Sequence, residues 1–135
     1  MGASYQKSKG RQNGGSFARL PHAIMEHWNF INLSYRAKAL LLDLLFQYRG
    51  SNNGDLTAAM KIMQKRGWTS KDQLQKAKIE LMQKGWIVEA RKGGRNIPTL
   101  YALTFFAIDE CGGKLDRRAT TTSLGYWKYG SNPEI

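Results

Sequence analysis

Between Lys61 and Arg95 the chain gathers ten basic residues: Lys61, Lys65, Arg66, Lys71, Lys76, Lys78, Lys84, Arg91, Lys92 and Arg95. Only Asp72, Glu80 and Glu89 oppose them, so this window holds +7 of the net +11 carried by all 135 residues. Side chains of this kind neutralise phosphates and create a field that draws polyanions. Within the window, a helical spacing sets Asp72, Gln75, Lys76 and Ile79 on one face, with Thr69, Ser70 and Lys71 at its leading end. A glutamine can bond adenine at two points, and a lysine can reach guanine O6 and N7 or a phosphate. An isoleucine can meet a thymine methyl. Asp72 can accept from cytosine N4, or it can simply favour the helix N-terminus. Further on, Arg91-Lys92-Gly93-Gly94-Arg95-Asn96 forms a basic, glycine-broken tip suited to phosphates or a minor groove.

No residues suited to bond-making chemistry accompany these. The chain has no GxxxxGK[ST] loop, no GxSxG, no HExxH and no carboxylates paired at helical spacing. Gly93-Gly94 lacks the strand–turn–helix setting of a phosphate-binding loop. Cys111 is the single cysteine, and His22 and His27 lie far from it, so neither a disulfide nor a zinc site is expected. Lys114 is its only near basic neighbour, and an incidental thiol is the expectation. The expectation is a protein without catalytic residues, metal or cofactor. The longest apolar run, Ala39-Leu40-Leu41-Leu42, stops at Asp43, and the N-terminus has no apolar signal core. A reducing, cytoplasmic and nucleoid-associated setting, with no membrane partner, fits this composition.

Three helices and a hairpin must position the basic face. Ser34 is a good N-cap, and Ala37, Leu40, Leu41, Leu44, Leu45 and Tyr48 recur as a helical stripe up to Arg49. Gly50-Ser51-Asn52-Asn53-Gly54-Asp55 ends that helix. A shorter helix is expected over 56–66, with Leu56, Ala59, Met60 and Met63 on one face and Gly67 as C-cap. The third helix starts at Thr69 or Ser70, with a Ser70-x-x-Gln73 capping box. It turns Leu74, Ala77, Leu81 and Met82 inward and stops at Gly85. Ile87–Lys92 and Leu100–Phe106 read as the strands of a hairpin with a loop longer than two residues. Upstream, an extended piece and a helical segment around 21–28, opened by Pro21, precede the stripe. The aromatics there are expected in the core. Residues 1–16 read as a disordered basic arm carrying Lys7, Lys9 and Arg11 without an acid. Residues 17–106 read as the domain, and 107–135 as a loosely ordered extension whose Tyr126 and Trp127 can pack back.

Helix, helix, turn, helix and hairpin in that order define an α+β, mainly helical fold: a winged helix-turn-helix with a three-helix core, a β-hairpin wing and irregular terminal arms. Four stretches resemble small winged helix-turn-helix proteins of bacterial prophages, plasmids and other mobile elements. They are Tyr35-Arg-Ala-Lys-Ala-Leu-Leu-Leu-Asp-Leu-Leu45, Asn53-Gly-Asp-Leu56, Lys65-Arg-Gly-Trp-Thr-Ser70 and Gly93-Gly-Arg-Asn-Ile-Pro-Thr-Leu-Tyr-Ala-Leu-Thr104. Ile108-Asp-Glu-Cys-Gly-Gly-Lys-Leu-Asp116 is similar to that group too, and the resemblance spans roughly 17–128. It implies transcriptional control or replication initiation on the element's own DNA. It brings no residue motif with it.

The expected partner is therefore double-stranded DNA, with the third helix in the major groove and the wing on the backbone. The expected DNA-binding residues are Thr69, Ser70, Lys71, Asp72, Gln75, Lys76, Ile79, Arg91, Lys92, Arg95 and Asn96. The alternative is a protein-binding module, an accessory subunit or inhibitor that docks on a host nucleoprotein complex. A host or element protein would then be the partner. RNA binding is disfavoured because the hairpin is too small to stack many bases. A homodimer is a further candidate, with Trp28, Phe30, Trp86, Phe105, Phe106 and Trp127 covering either a dimer face or the core.

Overall fold

The computed structural model describes residues 15–135, so nearly all of the expected basic arm lies outside the described residues. The fold is α+β, with five helices and one three-stranded antiparallel sheet. Two short helices, α1 (His22–Met25) and α2 (Trp28–Ile31), replace the single segment expected around 21–28. The break falls where the His27 imidazole turns back to accept from the Asn29 N–H at 3.1 Å, capping a new helix.

Helix α3 (Tyr35–Gln47) buries Ala37, Leu40, Leu41, Leu44 and Leu45, as its stripe requires. The Ser34 hydroxyl accepts from the Ala37 N–H at 3.1 Å and donates to Glu80 Oε1 at 2.6 Å. The Ser34 N–H donates to Glu80 Oε2 at 2.8 Å. Glu80 thus ties the start of α3 to α5 (Lys71–Gln83), and the two helices pack along their apolar faces. Burial raises the Glu80 carboxyl, but the Ser34 bonds and Lys84 outweigh it and hold the pKa below the usual glutamate value. A folded value below the unfolded one gives stability that is complete above the unfolded pKa of ~4.3. It is lost as the pH falls through the folded value. Glu80→Gln should therefore cost about 1–2 kcal/mol at pH 7. The difference from wild type should narrow below about pH 4. Urea denaturation at the two pH values checks this.

Leu56 opens no helix. Strand β1 (Leu56–Thr57) pairs antiparallel with β3 (Leu100–Leu103), which pairs on its other side with β2 (Ile87–Arg91), in the order β1-β3-β2. Helix α4 is shorter than expected, Met60–Met63 followed by a 3-10 turn Gln64–Arg66, and it ends at Gly67 with φ +95°. Leu56 and Thr57 go to the sheet because two side-chain carboxamides complete the pairing there. Gln47 donates to the Thr57 carbonyl at 2.8 Å and accepts from its N–H at 2.9 Å, closing the outer edge of β1. Asn53, fully buried, accepts from the Leu103 N–H at 2.8 Å and donates to the carbonyls of Leu103 (3.0 Å), Ala107 (3.0 Å) and Phe106 (3.3 Å).

The sheet is buried on both faces. Ile87, Tyr101 and Leu103 join the helical core, while Val88, Ala90 and Ala102 pack with Ile108, Leu115, Leu124 and Tyr126. Segment 107–135 is thus irregular, with 3-10 turns at Cys111–Gly113 and Tyr126–Tyr129, but it is not the loose arm expected. It also covers the outer edge of β2. The Asp116 N–H donates to the Ala90 carbonyl at 2.8 Å, where a bulge turns that carbonyl outward, and Asn132 donates to the Ile87 carbonyl at 3.4 Å. Trp127 stacks on Trp86 with centroids 5.5 Å apart. Buried Asn29 donates to the carbonyls of Lys84 (2.9 Å) and Trp127 (2.8 Å). Gly85, at φ +82°, ends α5 against this segment, and a Cβ there would stand 2.5 Å from the Ser131 carbonyl oxygen. Of the aromatics expected in the core, Trp86 and Trp127 are buried, and Phe30, Phe105 and Phe106 are partly buried against the core cluster. Trp28 and Phe17 are exposed.

Candidate nucleic-acid interface

Helix α5 buries Leu74, Ala77 and Leu81 and turns Lys71, Asp72, Gln75, Lys76 and Ile79 to solvent, so the face read from the spacing is the exposed one. Two members are partly committed elsewhere. The Ser70 hydroxyl accepts from the Gln73 N–H at 3.2 Å as the N-cap. Lys76 lies 3.0 Å from Asp72 one turn away, an exposed pair that solvent weakens and that a phosphate could displace. The capping box is half formed, because the Gln73 carboxamide accepts from Arg36 at 3.0 Å instead of reaching back. Thr69 and Lys71 are exposed, and Lys71 has no carboxylate within ion-pair distance among the described residues.

The turn that leads into α5 is fixed by Asp43, the residue that interrupts the apolar run of α3. Its carboxylate takes the Arg66 Nε at 3.1 Å and the Trp68 indole N–H at 2.7 Å.

The connection between the two hairpin strands runs from 92 to 99, longer than two residues as expected, and an isolated bridge closes its tip. Gly94 and Ile97 exchange backbone bonds of 2.9 and 3.1 Å around a two-residue apex, Arg95-Asn96. Asn96 takes φ +59°, which asparagine tolerates better than most residues. Both apex side chains are exposed. Gly93 fits because a Cβ would stand 2.5 Å from the Thr99 nitrogen. Arg91 does not join the tip. It folds back, and its guanidinium donates to the Pro98 carbonyl at 2.9 Å. The Lys92 N–H donates to Asp116 at 2.7 Å, while its side chain is exposed.

Lys78 is the functional candidate that periodicity missed. It is half-buried in a cleft of about 220 Å³ bordered by Thr57 and Ala59 on one side and by Pro98, Thr99 and Tyr101 at the hairpin base. Burial lowers its pKa, and among the described residues no carboxylate pairs with it. The position next to buried Ala77 marks Lys78 as a flank residue. Which flank meets the hairpin is set by tertiary packing and is not readable from a helical period. This cleft is where α5 and the hairpin share a boundary.

The remaining chemistry is sparse. Burial raises the Cys111 thiol, Asp55 and Asp109 raise it further, and Lys114 opposes them, so the protonated form is favoured. Among the described residues no group of three or more His, Cys, Asp or Glu side chains is placed to hold a metal. No helix among them is long and apolar enough to cross a membrane. No protein-family model matches the chain, no curated protein matches it, and no solved structure matches its fold.

Proposed function

We propose that the chain is a winged helix-turn-helix protein that binds double-stranded DNA, with α5 in the major groove and the β2–β3 hairpin as the wing on the adjoining backbone. The supporting observation is the cleft in which Lys78 of α5 meets the hairpin base. A helix and a hairpin that border one hollow can follow a groove and its flanking phosphates together. The order α3–β1–α4–α5–β2–β3 and the strand order β1-β3-β2 are compatible with this fold. Lys71, Lys76, Lys92 and Arg95 would serve phosphates, Gln75 and Ile79 would face base edges, and Thr69, Asp72 and Asn96 would flank them. Ser70 and Arg91 would act through the shape of the helix start and the wing. In this reading the protein works on the nucleoid, in transcriptional control or replication initiation of a mobile element.

Fluorescence anisotropy with a random duplex at two salt concentrations tests the reading. The affinity of the wild type should fall steeply with salt. The triple variant Lys71→Ala/Lys76→Ala/Arg95→Ala should lower the log–log salt slope by about 3 and the low-salt affinity by about 100-fold. No binding at low salt, or a triple variant that binds like wild type, would sink it.

A further inference from the structure

The outer side of α3 carries a second apolar row. Tyr35, Ala39, Leu42 and Phe46 recur at i, i+4, i+7 and i+11, which is one face of a helix. They are not covered: Tyr35 is 89%, Leu42 52% and Phe46 46% exposed, and Ile62 of α4 continues the row at 38%. Single exposed apolar side chains are ordinary, but a contiguous row is not. Two adjoining hollows run along it and share Asp43 and Arg66 as their common wall. One, of about 250 Å³, has Phe46, Ile62 and Lys65 in its lining. The other, of about 500 Å³, is lined by Arg36, Ala39, Leu42 and Trp68.

The rim of this row is cationic. The guanidinium of Arg66 sits 4.0 Å from the centroid of the Phe46 ring and that of Arg49 sits 5.1 Å from it. Asp43, the carboxylate within the row, is already taken by Arg66 and Trp68. The charge left over is positive, on Arg36, Arg49 and Lys65.

We propose that this face docks an amphipathic helix of an acidic partner protein, with two apolar anchors in the hollows and carboxylates against Arg36, Arg49 and Lys65. Leu42 and Phe46, one in each hollow, lie four residues apart, or ~6 Å along the helix axis, and anchors at i and i+4 of a docked helix are separated by the same rise. The charge complementarity selects an acidic partner. A second copy would bring an identical basic rim, and a net +11, against this one. A bilayer needs apolar groups that project past their charged neighbours, whereas Phe46 has guanidinium groups over its ring.

The test titrates the isotope-labelled full chain with a synthetic helix carrying leucines at i, i+4 and i+7 and glutamates between them. The control peptide keeps the leucines and replaces every glutamate with lysine. Saturable binding of the glutamate peptide alone is expected, with amide shifts gathered on Ala39, Leu42, Phe46, Ile62 and the Trp68 indole. Leu42→Ser/Phe46→Ser should weaken it by about 30-fold or more while leaving duplex affinity unchanged. Arg49→Glu/Lys65→Glu, which keeps the apolar row, should turn the preference toward the lysine peptide. The proposal is overturned if the glutamate peptide fails to bind or if both peptides bind alike. A concentration-dependent dimer centred on these residues would overturn it in favour of a second copy. Shifts at the same residues with phosphatidylglycerol–phosphatidylcholine vesicles, without a response to the peptide, would overturn it in favour of a membrane surface.

Discussion

Asn53→Ala is expected to lower the melting temperature by about 10–20 °C, the fall that corresponds to roughly 3–5 kcal/mol in a domain of this size. The carboxamide does the work of a neighbouring strand. It satisfies both the N–H and the carbonyl of Leu103 and also holds the carbonyls of Phe106 and Ala107, all from a fully buried position. Truncation leaves these backbone groups without a partner and out of reach of water, which costs more than the bonds themselves are worth. Asn53→Asp separates the contributions. It keeps an acceptor for the Leu103 N–H but points a carboxylate at three carbonyl oxygens, so at pH 7 it should be at least as damaging as alanine. Lowering the pH should recover part of the loss, because a protonated carboxyl can donate again. A calorimetric scan that finds Asn53→Ala within about 1 kcal/mol of wild type would rule out this organising role.

The largest effect should follow truncation after Phe106. The removed segment supplies Ile108, Leu115, Leu124 and Tyr126 to the second face of the sheet, and Trp127 to the stack on Trp86. Burying five large side chains contributes about 8–12 kcal/mol. That is comparable to the whole stability of a typical domain, about 5–15 kcal/mol. The truncated chain should lose its near-ultraviolet circular dichroism and its cooperative transition and bind hydrophobic dyes. A sharp transition within a few degrees of the full chain would show that residues 17–106 sustain the core by themselves.

Periodicity carried a reader a long way into this molecule and then stopped for identifiable reasons. Helices α3 and α5 were legible because each combines a serine cap with an apolar stripe on one face. The hairpin was legible from two apolar runs around Gly93-Gly94. Strand β1 was not, since two residues are too few to display a period, and Leu56 also fits the stripe of a longer helix. The partners of Gln47 and Asn53 have no local signature, because a carboxamide can satisfy any backbone pair that folding brings to it. The packed C-terminal segment does leave a signal in the sequence. Leu100-Tyr101-Ala102-Leu103 is apolar at every position, which a strand with one wet face would not be. Around the candidate interface, the outward face of α5 followed from its buried one. The back-folded Arg91 and the half-buried Lys78 did not, because each depends on which neighbour the hairpin brings alongside.

The two bonds from Asn29 set a schedule for synthesis. Its amide reaches forward to the Lys84 carbonyl and further still to that of Trp127, 98 residues along the chain. A nascent chain leaving the ribosome can form α3, α5 and the hairpin while this donor is still half satisfied and Trp86 lacks the ring that stacks on it. The core closes only when the turn Tyr126–Tyr129 has joined it. Asn29 is thus fully satisfied only once a segment 98 residues further along the chain has packed back onto it.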